Sequence, residues 1–129
     1  MREPLIGFGL AVATCIVLSM LSAELSRDVT AILLTLIASI YIGFSLASNG
    51  QLPLIKQIID CAFFITLALL GMWLSWWFLV AGLGLHGVWD YLHHGKYGQG
   101  IIPRWYVPFC AVYDWVVALF IAIMYAARS

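Results

Sequence analysis

Long apolar runs alternate with short polar breaks along this chain, and the runs have the length of membrane-crossing helices. A bilayer core about 30 Å thick needs about 20 helical residues per crossing. Backbone groups in lipid must bond within their own segment, so each crossing is expected as a helix. The first run, Leu5 to Ala23, ends at the polar stretch "ELSRD", Glu24 to Asp28. The second, Val29 to Ala47, ends at "SNGQLP", whose Asn-Gly centre is a turn signal. The third begins near Leu54 and carries Lys56 and Asp60 in its first turns. From Ile58 the apolar pattern continues to Leu92, which as one helix would be roughly 50 Å long. That overshoots the bilayer, so the chain is expected to turn back within "LGMWLSWW", Leu70 to Trp77. Gly71 and Ser75 are permissive there, and the tryptophans suit interface depth. The fourth span is then about Ser75 to Leu92. "HHGKYGQGIIPR", His93 to Arg104, is a loop, and the fifth span runs from about Trp105 to Ala126. The expected fold is all-α: an integral membrane helical bundle of about five transmembrane helices, one transmembrane domain over residues 1–129.

Composition agrees with the pattern. Of 129 residues, 64% are hydrophobic and 9% charged, and the mean hydropathy is +1.03. A soluble domain carries about 25% charged residues, so the solvent for this surface is expected to be lipid. Net charge is zero and no basic tract exists, which excludes a nucleic-acid partner on electrostatic grounds. Cys15, Cys61 and Cys110 are odd in number, far apart and each set in an apolar run, so they read as small apolar filler. The N-terminus has a charged start and an apolar core. Leu21 breaks the small-x-small cleavage pattern of Leu21-Ser22-Ala23, so an uncleaved first span is expected. Five spans place the termini on opposite sides. Arg2, Lys56, Lys96 and Arg104 then share one side, and Arg27 and Arg128 the other. The positive-inside bias puts the N-terminus and the histidine loop in the cytoplasm of a cell whose inner membrane holds this multi-pass chain.

Polar chemistry is concentrated in "LHGVWDYLHH", Leu85 to His94, which contains all three histidines. On a helix, Asp90 lies at about +40°, His93 at about −20° and His94 at about +80° from His86, so one face carries four ligand-type side chains. Asp60 in the third span and Asp114 in the fifth fall at similar depth, about 6–14 Å from the same membrane face. An ionised Asp at that depth costs about 2.5–3.5 kcal/mol. A shared cation would offset this, and imidazole with carboxylate suits zinc, iron or manganese. His86, Asp90, His93 and Asp114 are the expected metal ligands, with Asp60 and His94 next. Three other readings stand beside this one. His93 and His94 can snorkel to headgroups, Asp60 can simply pair with Lys56, and the remainder can be a structural hydrogen-bond network or a proton path. "VWDY", Val88 to Tyr91, and "VYDW", Val112 to Trp115, each set an aspartate between aromatics on neighbouring spans. Tyr91, Tyr106 and Tyr113 are placed to donate hydrogen bonds to such carboxylates. Gly82, Gly84 and Gly87, and Gly7, Gly9 and Gly43, read as sites of close helix approach.

"HGVWDYLHH" resembles the HxxHH boxes of membrane fatty-acid desaturases and hydroxylases, which surround two irons. The resemblance is confined to His86–His94. That family spreads many more histidines over several boxes and has a cytoplasmic cap, which this chain lacks. Alkaline-ceramidase-like hydrolases are similar in burying a His/Asp/Ser zinc site, but in seven spans. Small multidrug transporters are similar in size, yet they bury a Glu in the first of four spans, whereas Glu24 sits at a span end. As a whole the chain resembles small bacterial multi-spanning membrane proteins of unknown function.

These observations point to an integral membrane protein with a divalent metal ion, zinc or iron, near the cytoplasmic face. Such an ion would activate water or oxygen toward a lipid-like substrate. A small oligomeric ion, proton or metal transporter is the alternative. A third reading is an accessory subunit of a larger membrane complex, with the cluster structural. Membrane lipid is the expected partner, along with a homo-oligomer or a larger membrane complex.

Overall fold

A computed structural model describes residues 2–50, 52–93 and 102–128. Five helices follow one another: α1 (Glu3–Met20), α2 (Ala23–Ala47), α3 (Leu54–Trp73), α4 (Trp77–His93) and α5 (Tyr106–Arg128). The fold is an all-α bundle, and α1, α2, α3 and α5 are each long and apolar enough to cross a membrane. α4 has 17 residues and spans about 26 Å, slightly less than a bilayer core.

The first boundary differs from the sequence reading. "ELSRD" is not a break between spans; it forms the opening turns of α2. The chain leaves α1 at Leu21, which is extended, and Ser22 caps α2 by accepting the Leu25 N–H at 3.2 Å. Glu24 in that first turn complements the positive end of the helix dipole. Ser26 and Thr30 face inward, where the Thr30 hydroxyl donates to the Ser26 carbonyl and the Ser26 hydroxyl shares a 3.1 Å bond with Tyr125. Polar residues that looked like a loop are therefore interior residues of a helix.

The other boundaries fall where the pattern places them. Between α2 and α3, Asn49 and Gly50 take positive φ values of 53° and 84°. Serines tie this turn together: Ser45 donates to the Leu52 carbonyl at 2.7 Å, and Ser48 accepts the Leu52 N–H at 3.0 Å. The expected reversal near Leu70–Trp77 is present, with α3 ending at Trp73 and α4 starting at Trp77.

α1 packs on α5, α5 on α4, α4 on α3 and α3 on α2, with a smaller contact between α2 and α4. One apolar core draws on all five helices, including Ala11 and Leu18, Leu34 and Ala38, Phe64 and Ala68, Leu79 and Leu83, and Val117 and Ile121. The outside is equally apolar: Leu5, Met20, Trp73, Leu74 and Leu119 are among many large side chains exposed to the surroundings. Meanwhile Ser26, Thr30, Gln57, His86, Asp90 and Asp114 are buried. A largely apolar outside, with polar side chains enclosed among the apolar core, departs from the pattern of a water-soluble chain.

Three expected close approaches are absent. A Cβ on Gly9, Gly43 or Gly84 would meet nothing within 4 Å. Gly7 is a true contact, because a Cβ there would run into the Phe109 backbone of α5.

Candidate metal centre

α4 and α5 run antiparallel, and their mutual fit sets the site. Gly87 of α4 lies under the Trp115 ring of α5, where a Cβ would collide with the indole. The same ring donates from Nε1 to the Gly84 carbonyl at 3.2 Å. This clamp leaves His86 of α4 level with Asp114 of α5. His86 Nδ1 stands 2.7 Å from Asp114 Oδ2 and 3.5 Å from Asp90 Oδ2. Asp90 follows His86 by one helical turn, so both point to the same side. All three side chains are at most 1% exposed. His86 and Asp114 lie about 10–12 Å along their helices from the end that leads into the histidine loop, and Asp90 about 4–5 Å from it.

α2 and α3 complete the walls. The Tyr41 hydroxyl of α2 donates to Asp90 Oδ1 at 2.7 Å. The Phe64 ring of α3 meets the His86 ring edge-on, centroids 4.9 Å apart. Among the described residues, two enclosed carboxylate oxygens have no hydrogen-bond partner, Asp90 Oδ2 and Asp114 Oδ1. A buried unpaired polar group costs about 1–3 kcal/mol, so these oxygens are the signature of an arrangement that has further bonding capacity. Tyr106 Oη and both amide atoms of Gln57 are likewise enclosed without partners among the described residues. The contacts Gly71–Leu79 and Phe64–His86 fix the antiparallel register of α3 and α4, which sets Gln57 level with the end of α4.

Of the six residues the sequence nominates, the structure brings together His86, Asp90 and Asp114. One ligand atom from each lies within 4.8 Å of the others, and this is the grouping among the described residues that can hold an ion. Asp60 does not join it. Its Oδ2 takes the Lys56 ammonium at 2.8 Å, and the pair is partly exposed. Lys56 also lies over the Trp89 ring, 4.0 Å from its centroid. His93 closes α4, but its side chain and all of His94 lie outside the described residues.

The tyrosines are a further correction. Tyr91 is 65% exposed, Tyr113 bonds Thr14 at 3.0 Å, and Tyr106 has no partner for its hydroxyl among the described residues. The tyrosine that does hold a site carboxylate is Tyr41, which sequence reasoning missed. Its signal was present in the stripe Thr30, Leu34, Ala38, Tyr41 and Ser45, the buried face of α2.

A family model covers residues 3–129. The chain belongs to the DUF6010 family. That family is described as one of unknown function. No curated protein and no solved structure matches the chain. The resemblance of His86–His94 to desaturase boxes therefore gains no support. Of that stretch, the described residues bury His86 and Asp90, four residues apart.

Proposed function

We propose that this is an integral membrane protein whose helices α4 and α5 hold a divalent cation between His86, Asp90 and Asp114. The observation that supports it is the convergence of these three side chains in a fully buried layer, with two carboxylate oxygens unpartnered. Charge favours the same reading. Two carboxylates and a neutral imidazole around a divalent ion sum to zero, which is the least costly state at membrane depth. The nearby fixed cation, Lys56, is already engaged by Asp60.

Distances indicate what loading requires. Tetrahedral ligands about 2.1 Å from a metal stand about 3.4 Å apart. The 3.5 Å separation of His86 and Asp90 suits this, whereas the 2.7 Å hydrogen bond between His86 and Asp114 must open by about 0.7 Å. An imidazole with two carboxylates suits zinc or iron. A centre with three protein ligands keeps a position for water or substrate, and such an ion polarises a bound group or lowers the pKa of bound water. The apolar surroundings favour a lipid-like substrate. Gln57 and Tyr106, buried toward the histidine-loop end, provide polar atoms along the approach.

A second reading has one observation in its favour. The direct 2.7 Å His86–Asp114 contact is also what a proton-carrying pair needs, which suits a small transporter. Elemental analysis of detergent-purified protein separates the two. Stoichiometric zinc or iron in the wild type, lost in His86→Ala and Asp114→Asn, supports the metal centre. A folded wild type that retains no metal after growth and dialysis with zinc or iron refutes it, and proton flux in liposomes then tests the transporter.

A further inference from the structure

The opposite end of the bundle carries a second polar concavity, unrelated to the His/Asp layer. A pocket of about 280 Å³ is lined by Ala23, Glu24, Arg27, Trp76, Tyr125 and Arg128. It gathers two of the chain's six basic residues and one of its six acids. Among the described residues none of the three is in an ion pair. Arg27 Nε is enclosed and has no hydrogen-bond partner among the described residues. Arg128 is held in place by the carbonyls that end α1, donating to Ser19 at 3.1 Å and Leu21 at 3.4 Å. The other wall is aromatic, with Trp76 and Tyr125 edge-on at 5.2 Å. Tyr125 is itself fixed by Ser26 and Thr30.

Along α2 the stripe Glu24, Arg27, Ala31, Thr35 runs inward at helical spacing. Ala31 and Thr35 line an apolar groove of about 140 Å³ with Ala68 and Met72 of α3. The two hollows share no lining residue, but Arg27 stands one turn from Ala31, so a charged pocket and an apolar furrow follow one another along α2. That is the order of parts in a phospholipid.

We propose that this pocket binds the headgroup of a zwitterionic aminophospholipid, with one acyl chain in the α2–α3 groove. Arg27 and Arg128 take the phosphodiester, since guanidinium forks match phosphate oxygens. Glu24 accepts from the primary ammonium, and the Trp76 and Tyr125 rings supply a cation–π face. The lining's two positive charges and one negative charge mirror the headgroup's phosphate and ammonium.

The test is lipid binding to the full chain in detergent, read by native mass spectrometry, with phosphatidylethanolamine, phosphatidylglycerol and inorganic phosphate as probes. Wild type retains phosphatidylethanolamine in preference to phosphatidylglycerol. Arg27→Gln weakens that binding about tenfold, the loss of one charge-assisted contact. Glu24→Gln, at an exposed position, abolishes the preference between the two lipids while leaving phosphatidylglycerol binding intact. Equal retention of both lipids by the wild type overturns the proposal. So does full displacement of lipid by inorganic phosphate, which would mark a free-anion site; neither measurement needs a variant to fold. Unchanged affinity in folded Arg27→Gln also overturns it.

Discussion

Replacing Tyr41 by Phe removes one oxygen from the edge of the His/Asp layer and little else. The ring keeps its edge contacts with Phe44, His86, Trp89 and Tyr106. What disappears is the 2.7 Å bond to Asp90 Oδ1. Asp90 is fully buried, and its Oδ2 has no hydrogen-bond partner, so the variant carboxylate loses its one hydrogen bond among the described residues. A bond to a charged group is worth about 1.5–3 kcal/mol, and that is the expected loss of unfolding free energy without metal. Two other tyrosines calibrate the measurement. Tyr113→Phe breaks a neutral bond to Thr14, for about 0.5–1.5 kcal/mol. Tyr91→Phe alters a side chain 65% exposed, with an effect within about 0.5 kcal/mol. Denaturant unfolding of all three in one detergent, with and without zinc, gives the comparison. If Asp90 is a ligand, Tyr41 orients it, and losing such a partner costs about 10–100-fold in metal affinity. The Tyr41→Phe deficit then grows by about 1.4–2.7 kcal/mol at saturating zinc. Three variants that unfold alike would refute the buried Tyr41–Asp90 contact. A deficit that zinc leaves unchanged would refute the ligand role of Asp90.

Gly7→Ala and Gly9→Ala form a matched pair on α1: the first drives a methyl into the Phe109 backbone, the second into open surroundings. Overpacking is expected to cost Gly7→Ala about 1–3 kcal/mol, while Gly9→Ala is neutral or gains up to about 1 kcal/mol of helix propensity; thermal unfolding in detergent reads both. Asp60→Asn removes an i,i+4 pair that is 38% and 25% exposed, so stability changes by at most about 0.5 kcal/mol. Metal content measured on the same preparation stays at the wild-type value; its loss would return Asp60 to the ligand set.

The fold was legible because lipid makes one strong demand. Each span needs about 20 apolar residues, and that length filter found all five helices and located the reversal after Trp73. It failed at Glu24–Asp28 because it treats every polar cluster as an exit from the membrane. Ser22 as a cap and Ser26 and Thr30 as interior donors obey a different rule: polar groups are tolerated inside a span when a neighbouring helix completes their bonds. The filter also ranked every glycine alike. Gly7 and Gly9 are two residues apart and indistinguishable in pattern, yet only one meets α5.

The site was legible to the extent that its chemistry sat on one helix face. His86 and Asp90 are four residues apart, so their proximity follows from helix geometry alone. Asp114 required depth counting from the two ends of the same loop, which works because antiparallel neighbours share a starting plane. Depth is not direction, however. Asp60 satisfies the count as well as Asp114 does, but Lys56 one turn earlier draws it toward the partly exposed side of α3. Asp114 has no basic residue within a turn on α5, and it turns inward to His86. The distinction between the two aspartates was thus written in the charge at i−4. It implies that a carboxylate in a short membrane bundle is committed to the core when its own helix offers no cation, and His86 is the partner that α4 provides.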